Sequence, residues 1–430
     1  MTAIGSGLSQ AAKSAWRVPP QARALVPLVL PALVVGVGSS LALLLVSGVA
    51  DKLQHWLFGT FPDHFGFGAY SSAWVVAVLT AAGLVVGLIV WKVPGHAGAD
   101  PAAAGMVAPP LAAGVLPSLA LAAVVGLGSG VSLGPENPIT AINIGLAVAA
   151  GRRALPRVPV PAWVGLAAAG TIGAMFGTPV AAALLLSETS AGDDRRPLWD
   201  RLFGPLVAAG AGALTTAVLV DVTFTVDLPP MPRARPADVG WAILVAAAAT
   251  VLGLVAVYLF PLVHAAFHRL RHPVLMLTAG GAVLGLLAAL GGRLTMFKGL
   301  DEMKELTAQA GQHSTANLFF LALAKLAALV VAGACGFRGG RIFPAVFVGV
   351  ALGLCVGALF SSVPPALAVS CGILGFVLAT SRQGWLSLLM AATIVGDTAV
   401  LPLLCIAILP AWLLVTGRPE MLITPEEHPA

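Results

Sequence analysis

Apolar residues run through this chain in long blocks, and the blocks are broken by glycine and proline more often than by charge. A helix that crosses a bilayer needs roughly 20 predominantly apolar residues. Blocks near that length predict spans at Leu25–Ala50, Trp74–Val90, Ala162–Leu186 and Pro205–Val220. Further spans are predicted at Gly240–Leu262, Val274–Leu290, Leu318–Ala334, Ala345–Phe360 and Ala399–Val415. The polar stretches between them are short. Asp51–Tyr70, with His55, His64 and Trp56, reads as a surface loop or an interfacial helix, and Lys298–Ala316 as a polar loop. Asp221–Asp238, rich in proline and charge, reads as a link between two halves. The organisation is therefore a lead-in over residues 1–24, a first transmembrane unit over 25–220, a linker over 221–239, a second unit over 240–421 and a tail over 422–430.

Composition strengthens this picture. Soluble domains carry about a quarter charged residues, whereas this chain is 58% hydrophobic and 10% charged, with a mean hydropathy of +0.96. The fold class expected is an all-α polytopic membrane protein. Its 49 glycines and 32 prolines argue for broken, short or tilted helices, because they interrupt the apolar blocks. Irregular backbone at membrane depth survives only where protein or a water-filled cavity covers it, so broken helices point to a transport pathway. Small residues also let helices approach closely.

Charge adds less. The net charge is +5, and Lys13, Arg17 and Arg23 ahead of the first block predict a cytoplasmic N-terminus in a multi-pass inner (plasma) membrane protein. This lead-in lacks the apolar run of a cleaved signal. Basic residues are scattered over short loops, which excludes a nucleic-acid surface. Cys335, Cys355, Cys371 and Cys405 sit in or beside apolar blocks without CxxC spacing, so buried thiols are expected, with neither a disulfide framework nor a metal site. No cofactor is implied.

Two glycine- and proline-dense stretches stand out. The first is Gly128-Ser-Gly-Val-Ser-Leu-Gly-Pro-Glu-Asn-Pro138, and the second is Ala332-Gly-Ala-Cys-Gly-Phe-Arg-Gly-Gly-Arg-Ile-Phe-Pro344. Each has glycines, a short turn, and a proline that opens an apolar helix, where its missing N–H costs nothing. Free amides at such a helix start, with the positive end of the helix dipole, make an anion site. Glu136 is an anion tethered at that point. A carboxylate at membrane depth costs on the order of 2.5–3.5 kcal/mol, which favours a task over a merely structural cap. Paired interruptions at similar offsets in two halves are the mark of an inverted-repeat transporter that holds its substrate between half-helix ends.

These residues resemble the CLC chloride channels and proton-coupled chloride transporters, and within them a bacterial YfeO-like branch of ion-transport proteins. Gly134-Pro-Glu-Asn-Pro138 is similar to the family's G-[KR]-E-G-P, Phe176-Gly-Thr-Pro179 followed by Glu188 to its F-x-x-P helix ending in glutamates, and Gly340-Arg-Ile-Phe-Pro344 to its G-x-F-x-P. The resemblance runs from Leu25 to Met421. It implies a CLC-like inverted repeat that moves small monovalent anions, chloride first and fluoride or another halide as the alternative, as a homodimer and not as an enzyme. It makes Glu136 the gate. It makes Gly134, Asn137, Gly340 and the backbone amides of Arg341, Ile342 and Phe343 the anion path, with Gly98 and Ala99 at the family's G-S-G-I-P loop and Met421 at its central tyrosine. Glu188 and Thr189 mark the stretch where the family relays protons.

The departures have physical content. The family's serine hydroxyl is missing beside Gly98, where Asp100 intrudes, and Met421 cannot donate a hydrogen bond. Pro135 replaces a basic residue, so one cation and one amide donor vanish; Arg341 is the candidate to restore the charge. Thr189 cannot titrate. Blander expectations stand beside these: Glu188 as a helix cap or a partner of Arg195 or Arg196, Asp100 as a turn residue, Asp397 as a solvated loop acid, and Glu302, Lys304 and Glu305 as a wet helix face. The histidines fall at span ends and loops, His96 near Gly98 among them. An intramembrane hydrolase would pair Ser129 with a base such as Lys325 or His264, but no evident partner is in place, and a non-transporting scaffold remains the other alternative class.

Overall fold

Without water to satisfy them, backbone amides and carbonyls in apolar sequence bond within their own segment, which leaves the helix as the form each block takes. The computed structural model describes residues 25–66, 68–189, 197–221 and 223–423. The chain order is α1 (Val29–His55), α2 (Ser72–Lys92), α3 (Leu116–Gly128), α4 (Glu136–Ala154), α5 (Val160–Phe176), α6 (Pro179–Thr189) and α7 (Leu198–Leu219). There follow α8 (Pro236–His268), α9 (Pro273–Gly291), α10 (Leu300–Ala308), α11 (Thr315–Ala334), α12 (Ile342–Leu359), α13 (Pro365–Ser381), α14 (Gly384–Val395) and α15 (Leu401–Val415). Among the described residues, eight helical stretches are long and apolar enough to cross a membrane, and several shorter apolar helices accompany them. At 1.5 Å per residue a helix such as α3 covers only about 20 Å and cannot cross alone. All-helical, multi-span architecture is the outcome.

Several expectations change in detail. The block Ala162–Leu186 is not one span: Gly177, at φ +67°, ends α5, and Pro179 opens α6. Asp51–Tyr70 is no loop at its start. There α1 continues to His55, and a π-helical turn (Trp56–Thr60) and a short helix (Phe61–Phe65) follow, with Phe58 stacked on Tyr70. Helices α13 and α14 fell outside the predicted spans, because Arg382 (φ +58°) and Gln383 split their apolar sequence into two short pieces. The polar stretch Lys298–Ala316 contains α10, on which Glu302 is buried and accepts the Gly299 amide, so Glu302 is not on a wet face.

The expected linker ends four residues early. Helix α8 begins at Pro236, where Asp238 accepts the Arg235 amide at 2.7 Å and its guanidinium at 3.0 Å. Asp397 is less solvated than expected, since it accepts the Met231 and Ala399 amides at 2.6 and 2.9 Å and fastens the linker to the end of α14. The lead-in with Lys13, Arg17 and Arg23, the Asp193–Arg196 loop and residues 424–430 lie outside the described residues.

The core is built by close helix crossings. Helix α2 packs along α9, α12 along α13, α8 along α13, and α5 along α7. On the α2–α9 seam a Cβ at Gly83 would overlap the Leu277 carbonyl, and one at Gly281 the Leu79 carbonyl. Backbones that touch in this way gain dispersion contacts that larger side chains would forbid. Helix α13 is buried from Ala366 to Thr380, while Leu45, Leu214, Val218, Leu290 and Leu413 are exposed on the periphery, the pattern of a protein with apolar solvent outside. Gly281→Leu is expected to force α2 and α9 apart, at a cost of about 1–3 kcal/mol. A lower thermal midpoint in detergent checks this, against Gly357→Leu, where a Cβ meets nothing within 4 Å.

Candidate functional site

The two glycine-dense stretches fold into matching loops. Ser129 caps the end of α3 and Cys335 the end of α11; Gly130 and Gly336 follow with φ of +92° and +97°. Only glycine takes that conformation without cost. Gly134 and Gly340 then meet in an antiparallel pair of hydrogen bonds, 2.8 and 2.7 Å long, which is the sole β-type pairing among the described residues. Pro135 and Arg341 precede the first residues of α4 and α12, Glu136 and Ile342. One register therefore relates the two loops, residue for residue, across the bridge.

This bridge aims Glu136 away from its own helix. Glu136 is fully buried, and its Oε1 accepts from the Ile342 amide at 2.6 Å and the Phe343 amide at 3.3 Å, the unpaired donors at the start of α12. Its Oε2 is also buried, without a hydrogen-bond partner among the described residues. Gly134 and Gly340 form the walls: a Cβ on either would overlap the Glu136 carboxyl group. The Phe343 ring packs at 5.8 Å from Phe176 and 6.5 Å from Phe224, so the α5–α6 break contributes an aromatic flank. Two small cavities touch the carboxyl's neighbours. One is lined by Asp51, Pro135, Lys298 and Glu302, the other by Asn137, Arg341, Ile342, Thr380 and Glu420.

The remaining candidates divide. Arg341 is one step from the carboxyl, yet its guanidinium donates to the carbonyls of Pro101, Ala102 and Ala104 (2.9, 3.5 and 3.4 Å), so it acts first as a strut. Asn137 donates to the Ala104 carbonyl at 3.3 Å. The Gly98 amide is already given to the Gly95 carbonyl at 2.9 Å. Gly98 and Ala99 line a cavity of about 390 Å³ with Asn137, Pro138 and Arg338. Met421 is fully buried near Ile423, whose amide donates to Ala102 at 2.9 Å, so the tail lies against the loop that Arg341 grips.

Glu188 accepts from the Gly384 and Trp385 amides at 2.9 and 3.4 Å and caps α14, a different helix from the one it ends. Thr189 closes α6, and its side chain lies outside the described residues. Ser129 donates to Gly126, while Lys325 donates to the Met296 and Phe297 carbonyls at 2.5 and 2.9 Å, so these two are not a nucleophile and base pair.

Sequence reasoning passed over Arg338. Its guanidinium donates to Gly336 at 2.8 Å, to Ala97 at 2.9 Å, and to His96 and Gly98 at 3.3 Å each. It thereby holds Gly95, His96, Ala97 and Gly98, all with positive φ, in a left-handed turn that non-glycine residues resist. The signal was present: Arg338 is a charged residue inside a glycine-rich membrane motif. Next to that turn, burial opposes the charge on Asp100, but hydrogen bonds from His264 and the Ala102 amide, with the charge of both His264 and His268, hold its carboxyl below the usual carboxylate range.

Comparison with known proteins agrees with this geometry. Residues 82–416 match the family described as voltage gated chloride channel. The chain belongs to that family, the CLC proteins. Proteins provisionally named ion-transport protein YfeO are similar over nearly the whole length: 51% identical over 400 residues in Salmonella choleraesuis (strain SC-B67), covering 93% of this chain and 97% of that protein. The Escherichia coli (strain K12 / DH10B) protein is 50% identical over 411 residues, covering 95% and 98%. Among solved structures, a slow cyanobacterial Cl-/H+ antiporter superposes with a TM-score of 0.79 at 15% identity, covering 94% of this chain and 97% of that one. A CLC-type fluoride/proton antiporter gives 0.72 at 17%, covering 93% and 97%. At such identities these two show a shared CLC fold.

Arg338→Met in this CLC protein removes the donor to four carbonyls, and a buried charged hydrogen bond is worth about 1.5–3 kcal/mol. The thermal midpoint in detergent is expected to fall by more than for Arg341→Met, whose partners are fewer and longer.

Proposed function

We propose that this protein carries small monovalent anions, chloride first, across the bilayer through a pathway that Glu136 closes. The observation that supports this reading most strongly is the carboxylate oxygen seated on the Ile342 and Phe343 amides. Those donors have no helical partner, and the dipole of α12 reinforces them, so any anion of similar size is a candidate for the place Oε1 holds. Glu136 is therefore a competitor for the permeating ion. The buried Oε2 has no donor to it, and a proton added there neutralises the side chain and removes its hold on the amides. The gate then swings free and the anion enters.

The donors at this place are backbone amides, since Met421 and Gly98 stand where the family presents hydroxyls. Ion preference accordingly follows cavity size and dehydration, which leaves fluoride as the alternative cargo. Family likeness adds a homodimer with one pathway per subunit. Coupling to protons is the finer question: Glu188 is occupied in capping α14, and Thr189 has no titrating group, so no carboxyl relay leads inward along α6 in this reading. Uncoupled, acid-stimulated flux is the expected behaviour.

Purified protein in liposomes tests both levels. Chloride or fluoride efflux above protein-free vesicles is expected, rising as pH falls, because protonation releases Glu136. Glu136→Gln mimics the protonated state and should give fast flux with little pH dependence. A wild-type pH profile retained in Glu136→Gln would reject the gate. Reversal potentials measured under a pH gradient decide coupling, since a shift with the gradient requires exchange with protons.

A further inference from the structure

A second constellation lies away from the Glu136 gate, where the C-terminal end of α8 meets the left-handed turn. His264 and His268 occupy i, i+4 positions on α8, with rings stacked at 3.7 Å between centroids. Both turn Nε2 toward one atom, Asp100 Oδ2, at 2.7 and 3.3 Å. Asp100 is itself oriented: its Oδ1 accepts the Ala102 amide at 2.9 Å.

The hydrogen bonding of His268 settles what its Nε2 offers. Its Nδ1 lies 2.9 Å from the His264 carbonyl, which only accepts, so the ring proton is on Nδ1. In the neutral ring Nε2 is then a bare lone pair, facing a carboxylate oxygen that is also a lone pair. The contact therefore needs a cation, either a proton that makes the ring the imidazolium whose charge acts on Asp100, or a metal ion bound by both atoms. The backbone hydrogen bond from the far ring nitrogen is the device that fixes imidazole tautomers in metal sites.

We propose that Asp100, His264 and His268 form a binding site for a divalent transition ion of the zinc class. Two imidazoles at helical i, i+4 spacing and one carboxylate suit zinc. The three ligand atoms lie within 4.8 Å of one another, and a shared ion would hold them by bonds of about 2.0–2.2 Å. The ion displaces the proton shared between His264 Nε2 and Asp100, and a water completes the fourth position. The site is partly exposed: the side chains of His264, His268 and Asp100 are 14%, 37% and 33% exposed. Nearby Arg338 directs its guanidinium to backbone carbonyls and leaves the Asp100 oxygens to the histidines. An ion here ties α8 to the loop that both arginines grip, so the site is built into the support of the anion path without belonging to it.

The test uses the full-length protein in detergent at mildly alkaline pH, titrated with Co²⁺ and then Zn²⁺. One ion per chain is expected, with a cobalt spectrum of nitrogen and oxygen ligands lacking thiolate charge-transfer bands, and zinc displacing cobalt. His268→Ala and Asp100→Asn should each weaken binding by about tenfold or more, while Cys405→Ser, which removes the exposed thiol, leaves it unchanged. Zinc should also raise the thermal midpoint of the wild type, reversibly on chelation. Absence of saturable binding to the wild type would overturn the proposal and leave a protonated ion pair in its place. Binding that survives both ligand substitutions would overturn it equally.

Discussion

One carboxylate oxygen on two backbone amides organises this protein. The amides of Ile342 and Phe343 are donors that α12 cannot satisfy itself, and burial removes water as their partner. Something anionic must hold them. Glu136 does so because the Gly134–Gly340 bridge sets the starts of α4 and α12 side by side, and because neither glycine has a Cβ to occupy the carboxyl's space. In the proposed function, that carboxylate stands where a permeating anion would bind and closes the way while it is there.

The surroundings serve that arrangement. Two arginines from the second loop reach into the first half of the chain: Arg338 holds the turn at residues 95–98, and Arg341 holds the carbonyls of residues 101–104. A guanidinium spends its hydrogen bonds in a planar fork, which suits it to fix irregular backbone that would otherwise stand unsatisfied at membrane depth. The Arg341 charge still acts on the Glu136 carboxyl while its donors are spent on structure.

Most of the fold was readable from the apolar blocks, because burial in lipid imposes a simple rule on long runs. Where the rule failed, tertiary detail decided. Gly177–Thr178–Pro179 cut one block into two helices, and the apolar sequence of α13 and α14 was divided by Arg382 in a left-handed turn. Glu136 drew attention through its own motif, a proline-opened helix start with an acid before it, whereas Ile342 and Phe343, on whose amides its carboxylate sits, were named by the family resemblance. The long-range partners of Arg338 and Asp100, Ala97 and His264 among them, were not found, since they lie more than a hundred residues away and no local period announces them. Glu302 looked solvated for the same reason: only the packed structure shows what covers α10.

The central claim is that Glu136 occupies an anion site. Anomalous diffraction from crystals grown in bromide measures this directly, comparing Glu136→Ala with the wild type. The account predicts bromide within hydrogen-bonding distance of the Ile342 and Phe343 amides in the variant, and none there while the carboxylate is in place. Empty amides in Glu136→Ala, or bromide seated there beside an unmoved Glu136, would contradict it.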